Sequence, residues 1–179
     1  MPTPAAQLLG RGVAFPIFLG DQREPAASVR AETVSKDYQR KGFFKIGLLP
    51  QLVAENVTVR FNKMADAEKV LSALSRHKWV GNNQLPVEFR TVRFETADRP
   101  EPILSATSLT FGEAGKCHLK EVTLTHSRTN RVRLKNATLQ LSGTSVAALK
   151  FRDGTNDCTI TLFAPGEAAK RAAQIVGGL

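Results

Sequence analysis

Leu119-Lys-Glu-Val-Thr-Leu124, Leu134-Lys-Asn-Ala-Thr-Leu139 and Leu149-Lys150 are three renderings of one word, and their spacing decides the fold. Two earlier pairs, Phe89 with Phe94 and Leu104 with Leu109, keep the same period of 15 residues. Turn-forming residues fall between the copies: Asp98-Arg-Pro, Gly112-Glu-Ala-Gly115, Arg128-Thr-Asn130 and Ser142-Gly143. Regular apolar strands punctuated by regular turns predict an antiparallel β-meander of about six strands from residue 85 to 163, with the 15-residue strand–turn repeat covering 85–155. The two anchors of each copy are five residues apart, an odd number. In a flat strand they would point to opposite faces. A parity change inside each strand, as at a β-bulge, brings both anchors to one face, and such bulges predict a strongly curved sheet.

Working outward, Glu55 to Phe61 alternates with Val57, Val59 and Phe61 on one face, and the run from Ser28 alternates in the same way. Gly12 to Leu19 reads as a short apolar strand that Pro16 confines to a sheet edge or bulge. Residues 42–49 read as a further strand that Pro50 ends, and residues 1–10 as an N-terminal arm. Met64, Ala67, Val70, Leu71 and Leu74 recur at helical spacing after a candidate cap at Asn62, predicting a helix over 63–77. A second helix is expected over 166–176, following Pro165. The expected fold is mainly β (α+β): a curved six-strand meander preceded by a smaller β-rich segment, with two helices packed on it, in one domain over 11–179.

The chain of 179 residues carries a net charge of +9 and a pI near 10. That surplus favours polyanionic partners: nucleic acid, an acidic membrane surface or acidic faces of other proteins. No apolar run approaches the ~18 residues that a membrane-spanning helix needs. Met1 to Gln7 has neither the basic nor the apolar region of a signal peptide. The expected compartment is the cytoplasm as encoded, with a mature exported fragment as the alternative. Cys117 and Cys158 fall on predicted strands and fit either a cross-strand disulfide or two buried thiols.

Local catalytic patterns are missing. Gly112-Glu-Ala-Gly-Lys-Cys117 lacks the spacer and following hydroxyl of a phosphate loop and lies between strands, so it reads as a hairpin turn. His118 and His126 are eight residues apart on one predicted strand, too far to share a metal, and Cys117 and His118 point to opposite faces. Asp153 to Asp157 reads as a tight turn. No enzyme, cofactor or metal site is expected, which leaves only an active site assembled from distant residues.

The cations carry more information. Arg40, Lys41 and Lys45 flank Phe43 and Phe44, the mixture that single-stranded nucleic-acid platforms use. Arg128, Arg131, Arg133 and Lys135 form a second cluster, and Lys120, Lys135 and Lys150 recur at the repeat period. Asp66 to Leu74 followed by Gly81 to Phe89 resembles the second helix and fourth strand of an RNA-recognition motif, and Lys41-Gly-Phe-Phe-Lys-Ile46 echoes its RNA-binding strand. The likeness spans about 45 residues; no first helix or second strand fits between Leu49 and Glu55, and a long meander follows. The leading expectation is a non-enzymatic interaction or assembly protein that presents a basic sheet to macromolecules, with protein partners and possible self-association. RNA or single-stranded nucleic-acid binding is the first alternative, and an envelope protein holding lipid in a β-trough the second.

Overall fold

The computed structural model describes residues 4–40, 48–77, 85–112, 116–125, 131–141, 148–153 and 155–161. Strands β1 (Gln7–Ile17), β2 (Ala27–Arg40) and β3 (Leu48–Phe61) come first, then helix α1 (Ala67–Ser75). Strands β4 (Val87–Thr96), β5 (Arg99–Phe111), β6 (Lys116–Thr125), β7 (Arg131–Gln140), β8 (Ala148–Asp153) and β9 (Asn156–Thr161) follow. All nine belong to one sheet, in the order of the chain. The expected six-strand meander with a separate β-rich segment is therefore corrected: the first three strands continue the same open sheet.

The reason lies in α1. A tight turn reverses the chain, whereas a helix carries it back to the end it came from, so the next strand lies parallel. Strand β4 accordingly pairs parallel with β3, Leu52 beside Val87 and Phe61 beside Thr96, in a sheet otherwise antiparallel. The helix is also shorter than expected. A single 3-10 turn, Met64–Asp66, precedes it, and Asn62 does not cap it. The Asn62 side chain instead donates to the Pro25 carbonyl at 2.5 Å, tying the helix entry to the start of β2. Ala67, Val70, Leu71 and Leu74 bury one face of α1 in the core. Among the described residues α1 is the one α-helix; residues 166–176, where a second is expected, lie outside them.

Pro16 sits on β1, an edge strand, as its missing N–H requires. Pro50 does not end a strand. It pairs with Tyr38 inside β3, two residues before β4 begins opposite Leu52, so the side of β3 facing β4 needs no donor from it. Strand β1 begins at Gln7, within the stretch read as an arm.

The parity change is present and extends beyond the repeat. Leu119 and Val122 are buried while Lys120 and Glu121 between them are exposed, and Leu134, Lys135, Asn136 and Ala137 repeat the pattern. Phe89 and Val92 enclose Arg90 and Thr91; Ala54 and Val57 enclose Glu55 and Asn56. Register places these breaks side by side, through Gly12, Glu32, Asn56, Thr91, Thr107, Glu121 and Lys135. A seam of doubled outward residues thus crosses the sheet from β1 to β7. Gly12, Asn56, Thr91 and Glu121 make the flip in the left-handed region, with φ of 58°, 51°, 52° and 48°.

The seam corrects the expectation of strong curvature. A one-sided bulge lengthens one strand against its neighbour and bends the pair. Here Arg90 pairs with Ser108 and Val92 with Ala106, and Lys120 pairs with Asn136 and Val122 with Leu134. Both strands advance by the same two residues across the break, so neither is lengthened and the sheet stays open.

The inward face is one continuous core from Ile17 to Phe151. Phe61 meets Phe94 edge-on at 5.7 Å between ring centroids, and Phe89 meets Phe111 at 5.3 Å, both within the favourable range for aromatic pairs. Cys117 is a free, buried member of this core. Burial pushes its thiol up to about 12, so it stays protonated at neutral pH. Strands β7 and β8 separate it from Cys158 on β9. Three inter-strand steps amount to about 14 Å, well beyond disulfide reach.

Candidate polyanion-binding face

On the outward face the charges are unevenly distributed. Strands β2 to β4 match Arg30, Arg60, Arg90 and Arg93 against Glu32, Asp37, Glu55, Glu88 and Glu95. Arg90 shows how closely they are paired. Its guanidinium lies 3.6 Å from Asp37, 3.7 Å from Glu55 and 3.3 Å from Glu88. Glu88 also accepts hydrogen bonds from Ser108 at 2.8 Å and Gln51 at 3.5 Å. Strands β6 to β9 place Lys116, Lys120, Arg131, Arg133, Lys135, Lys150 and Arg152 outward, against only Glu121 and Asp157 among the described side chains.

Register converts the 15-residue lysine period into a cluster. His118, Thr138, Lys150 and Thr159 form one row across β6 to β9. Lys120 and Asn136 begin the next row, which Arg152 and Asp157 continue. Side chains two residues apart on a strand share a face, so the rows stand about 7 Å apart. The seam adds Lys135, which faces outward beside Asn136 instead of alternating inward. These residues line a groove of about 890 Å³.

Local structure fixes its rim. The Gly112 N–H donates to the Lys116 carbonyl at 2.7 Å, tying the end of β5 to the start of β6; residues 113–115 of the expected turn lie outside the described residues. The bare Gly112 leaves room for the His118 ring, since a Cβ there would lie 3.0 Å from Nε2. His118 Nδ1 is 3.5 Å from the Thr138 hydroxyl. Thr107 Oγ1 donates to the Lys120 carbonyl at 3.2 Å, anchoring the backbone of β6 at the seam. Arg152 pairs with Asp157 at 2.9 Å, but both side chains are nearly four-fifths exposed, so that pair contributes well under ~1 kcal/mol.

Lys120, Lys135 and Lys150 are thus brought together. Arg131 and Arg133 point outward on the same strand as Lys135, opposite Thr125 and Thr123, on the far side of the seam from the groove. Arg40 ends β2, and its side chain, together with Lys41, Phe43, Phe44, Lys45 and Arg128, lies outside the described residues. Asn136, Thr138 and Arg152 join the groove without having been singled out as binding residues in the sequence, and so does His118, which the sequence raised only as a metal-ligand candidate. The usable signal was parity: Arg152 is two residues past Lys150 and shares its face.

No group of three or more histidine, cysteine or carboxylate side chains is placed to hold a metal among the described residues. Among them, no helix is long and apolar enough to cross a membrane. No family model, curated protein or solved structure matches the chain.

Proposed function

We propose that the protein is a non-enzymatic binding and assembly module whose basic β6–β9 face docks a polyanionic macromolecular partner. One observation carries this reading: three lysines one repeat apart converge on a single groove whose described lining holds one carboxylate, Asp157. Lysines bunched on one face without counter-ions repel one another, and that cost favours a partner that neutralises them. The inward face supports the same choice. Leu104, Leu109, Leu139 and Leu149 are fully buried there, so recognition falls to the polar face.

Affinity capture from the source cell tests the reading. A partner held by the unaltered chain should be released when Lys120→Glu, Lys135→Glu and Lys150→Glu are combined. It should be retained when Arg30→Glu, Arg60→Glu and Arg93→Glu are combined on the other half. Equal retention by both triple variants would remove the groove from the function.

A further inference from the structure

Resting on that reading, we infer that the partner of the groove is the sugar–phosphate backbone of a nucleic acid, held without base stacking and hence without sequence preference. The residue types in the groove suit one kind of polyanion better than the others. Protein–protein interfaces are enriched in aromatic residues, methionine and arginine and depleted in lysine. The outward groove leans the other way: Lys120, Lys135 and Lys150 with Asn136, Thr138 and Thr159, beside one arginine, Arg152, that is already paired with Asp157. Phosphate oxygens take contacts from lysine and from neutral side-chain donors alike, and a lysine serves phosphate as a point charge. The three lysines lie on three adjacent strands, so cations extend across the sheet, flanked by uncharged donors. A linear chain of phosphates matches that arrangement.

Two further observations narrow the class. Phe151, the one phenylalanine, tyrosine or tryptophan lining the groove, is buried on the core side and offers no open ring to a base, and the small His118 ring beside it is occupied against Gly112 and Thr138. Among the described residues, the large exposed apolar side chains, Leu8, Phe18 and Leu49, belong to the β1–β3 side, away from the lysines. A lipid surface approached through β6–β9 would therefore gain charge contacts with none of the apolar insertion that strengthens peripheral membrane binding.

Fluorescence anisotropy of a labelled 20-mer oligothymidylate and oligouridylate, titrated from about 50 to 300 mM salt, tests this. Three variants are compared: the unaltered chain, combined Lys120→Gln, Lys135→Gln and Lys150→Gln, and combined Arg30→Gln, Arg60→Gln and Arg93→Gln. Matching circular dichroism melts establish that each is folded. Three lost phosphate contacts should lower the slope of log K against log salt by about 2 for a single strand. The arginine triple, which loses the same net charge, should keep its slope, and the two homopolymers should bind alike. Parallel arms use oligoglutamate of equal length and phosphatidylserine vesicles. If either binds as tightly as the oligonucleotides and is released by the lysine triple, the groove remains the docking face but nucleic acid is the wrong partner. If the lysine triple leaves binding to all three probes unchanged, both the inference and the docking reading fall.

Discussion

Strands β2–β4 and β6–β7 are built on the same seam and, with β8, on the same inward core, yet the two sides spend their outward charges differently. In the first half Arg90 is enclosed by Asp37, Glu55 and Glu88 from three strands, and the cation is neutralised within the molecule. In the second, Lys120 and Lys135 at the seam and Lys150 on the next strand have no such ring of acids around them. The core decides whether the sheet forms, and the outward residues decide what it meets. One half satisfies its charges internally and the other leaves them to a partner.

The sharpest challenge to this comparison is whether the halves share one core. Phe94→Ala in β4 should cost about 3–5 kcal/mol and Leu139→Ala in β7 about 2–5 kcal/mol. Both side chains are fully buried in the same cluster. Urea unfolding followed by circular dichroism should move as a single transition in each variant. Two separated transitions would mean that the halves fold independently.

The seam makes the next largest difference. Thr91 is β-branched at a φ of 52°, a conformation costing roughly 1–2 kcal/mol for an L-residue, against about 0.5–1 kcal/mol of added chain entropy for glycine. Thr91→Gly should raise stability by about 0.5–1 kcal/mol. Thr107→Gly, in the same row without a positive φ, should lower it by about the glycine penalty. If both substitutions destabilise equally, the seam stores no strain at Thr91.

Charge removal should then separate the halves directly. Arg90→Met leaves three carboxylates facing one another and should cost about 1 kcal/mol, moderated by the 41% exposure of that side chain and reduced in high salt. Lys135→Met removes a cation from a like-charged face and should stay within about 0.5 kcal/mol. A larger loss for Lys135 would show that the second half, too, is internally paired.

The smallest effect concerns pH. His77 stacks on Phe15 with 4.0 Å between ring centroids, and burial holds its pKa below 6.5. The unfolded chain therefore takes the proton first, so stability should fall as pH drops through 6.5 and level off once the folded value is passed. His77→Gln should flatten the dependence between about pH 7 and 5.5, measured by thermal melts. An unchanged slope would assign it to other groups.

Most of the strand pattern was legible because the anchors repeat: Leu119 with Leu124 and Leu134 with Leu139 marked both the strands and the parity change. The parallel β3–β4 pair was not, since a helix that crosses over and one that merely lies on a sheet show the same apolar spacing. Pro50 misled for a related reason. A proline stops a strand only where a neighbour needs its N–H, and the missing neighbour is a fact of register. The lysines of the candidate site were visible as a period, but their convergence with Arg152 and His118 depends on which residues face across β6 to β9. The ring around Arg90 gathers Asp37, Glu55 and Glu88 from distant parts of the chain, and no local window contains it.

The shared seam also governs how this sheet tolerates change. In an ordinary alternating sheet a strand that slips by two residues keeps its apolar side inward and meets only a mismatch at its ends. Here the same slip would set one strand's doubled outward pair against regular alternation on both neighbours. Seven strands carry the mark at one level, so each is keyed to the next like wards in a lock. An insertion or deletion inside one of these strands would shift half of its key against both neighbours, whereas one in a connecting loop would leave the key untouched.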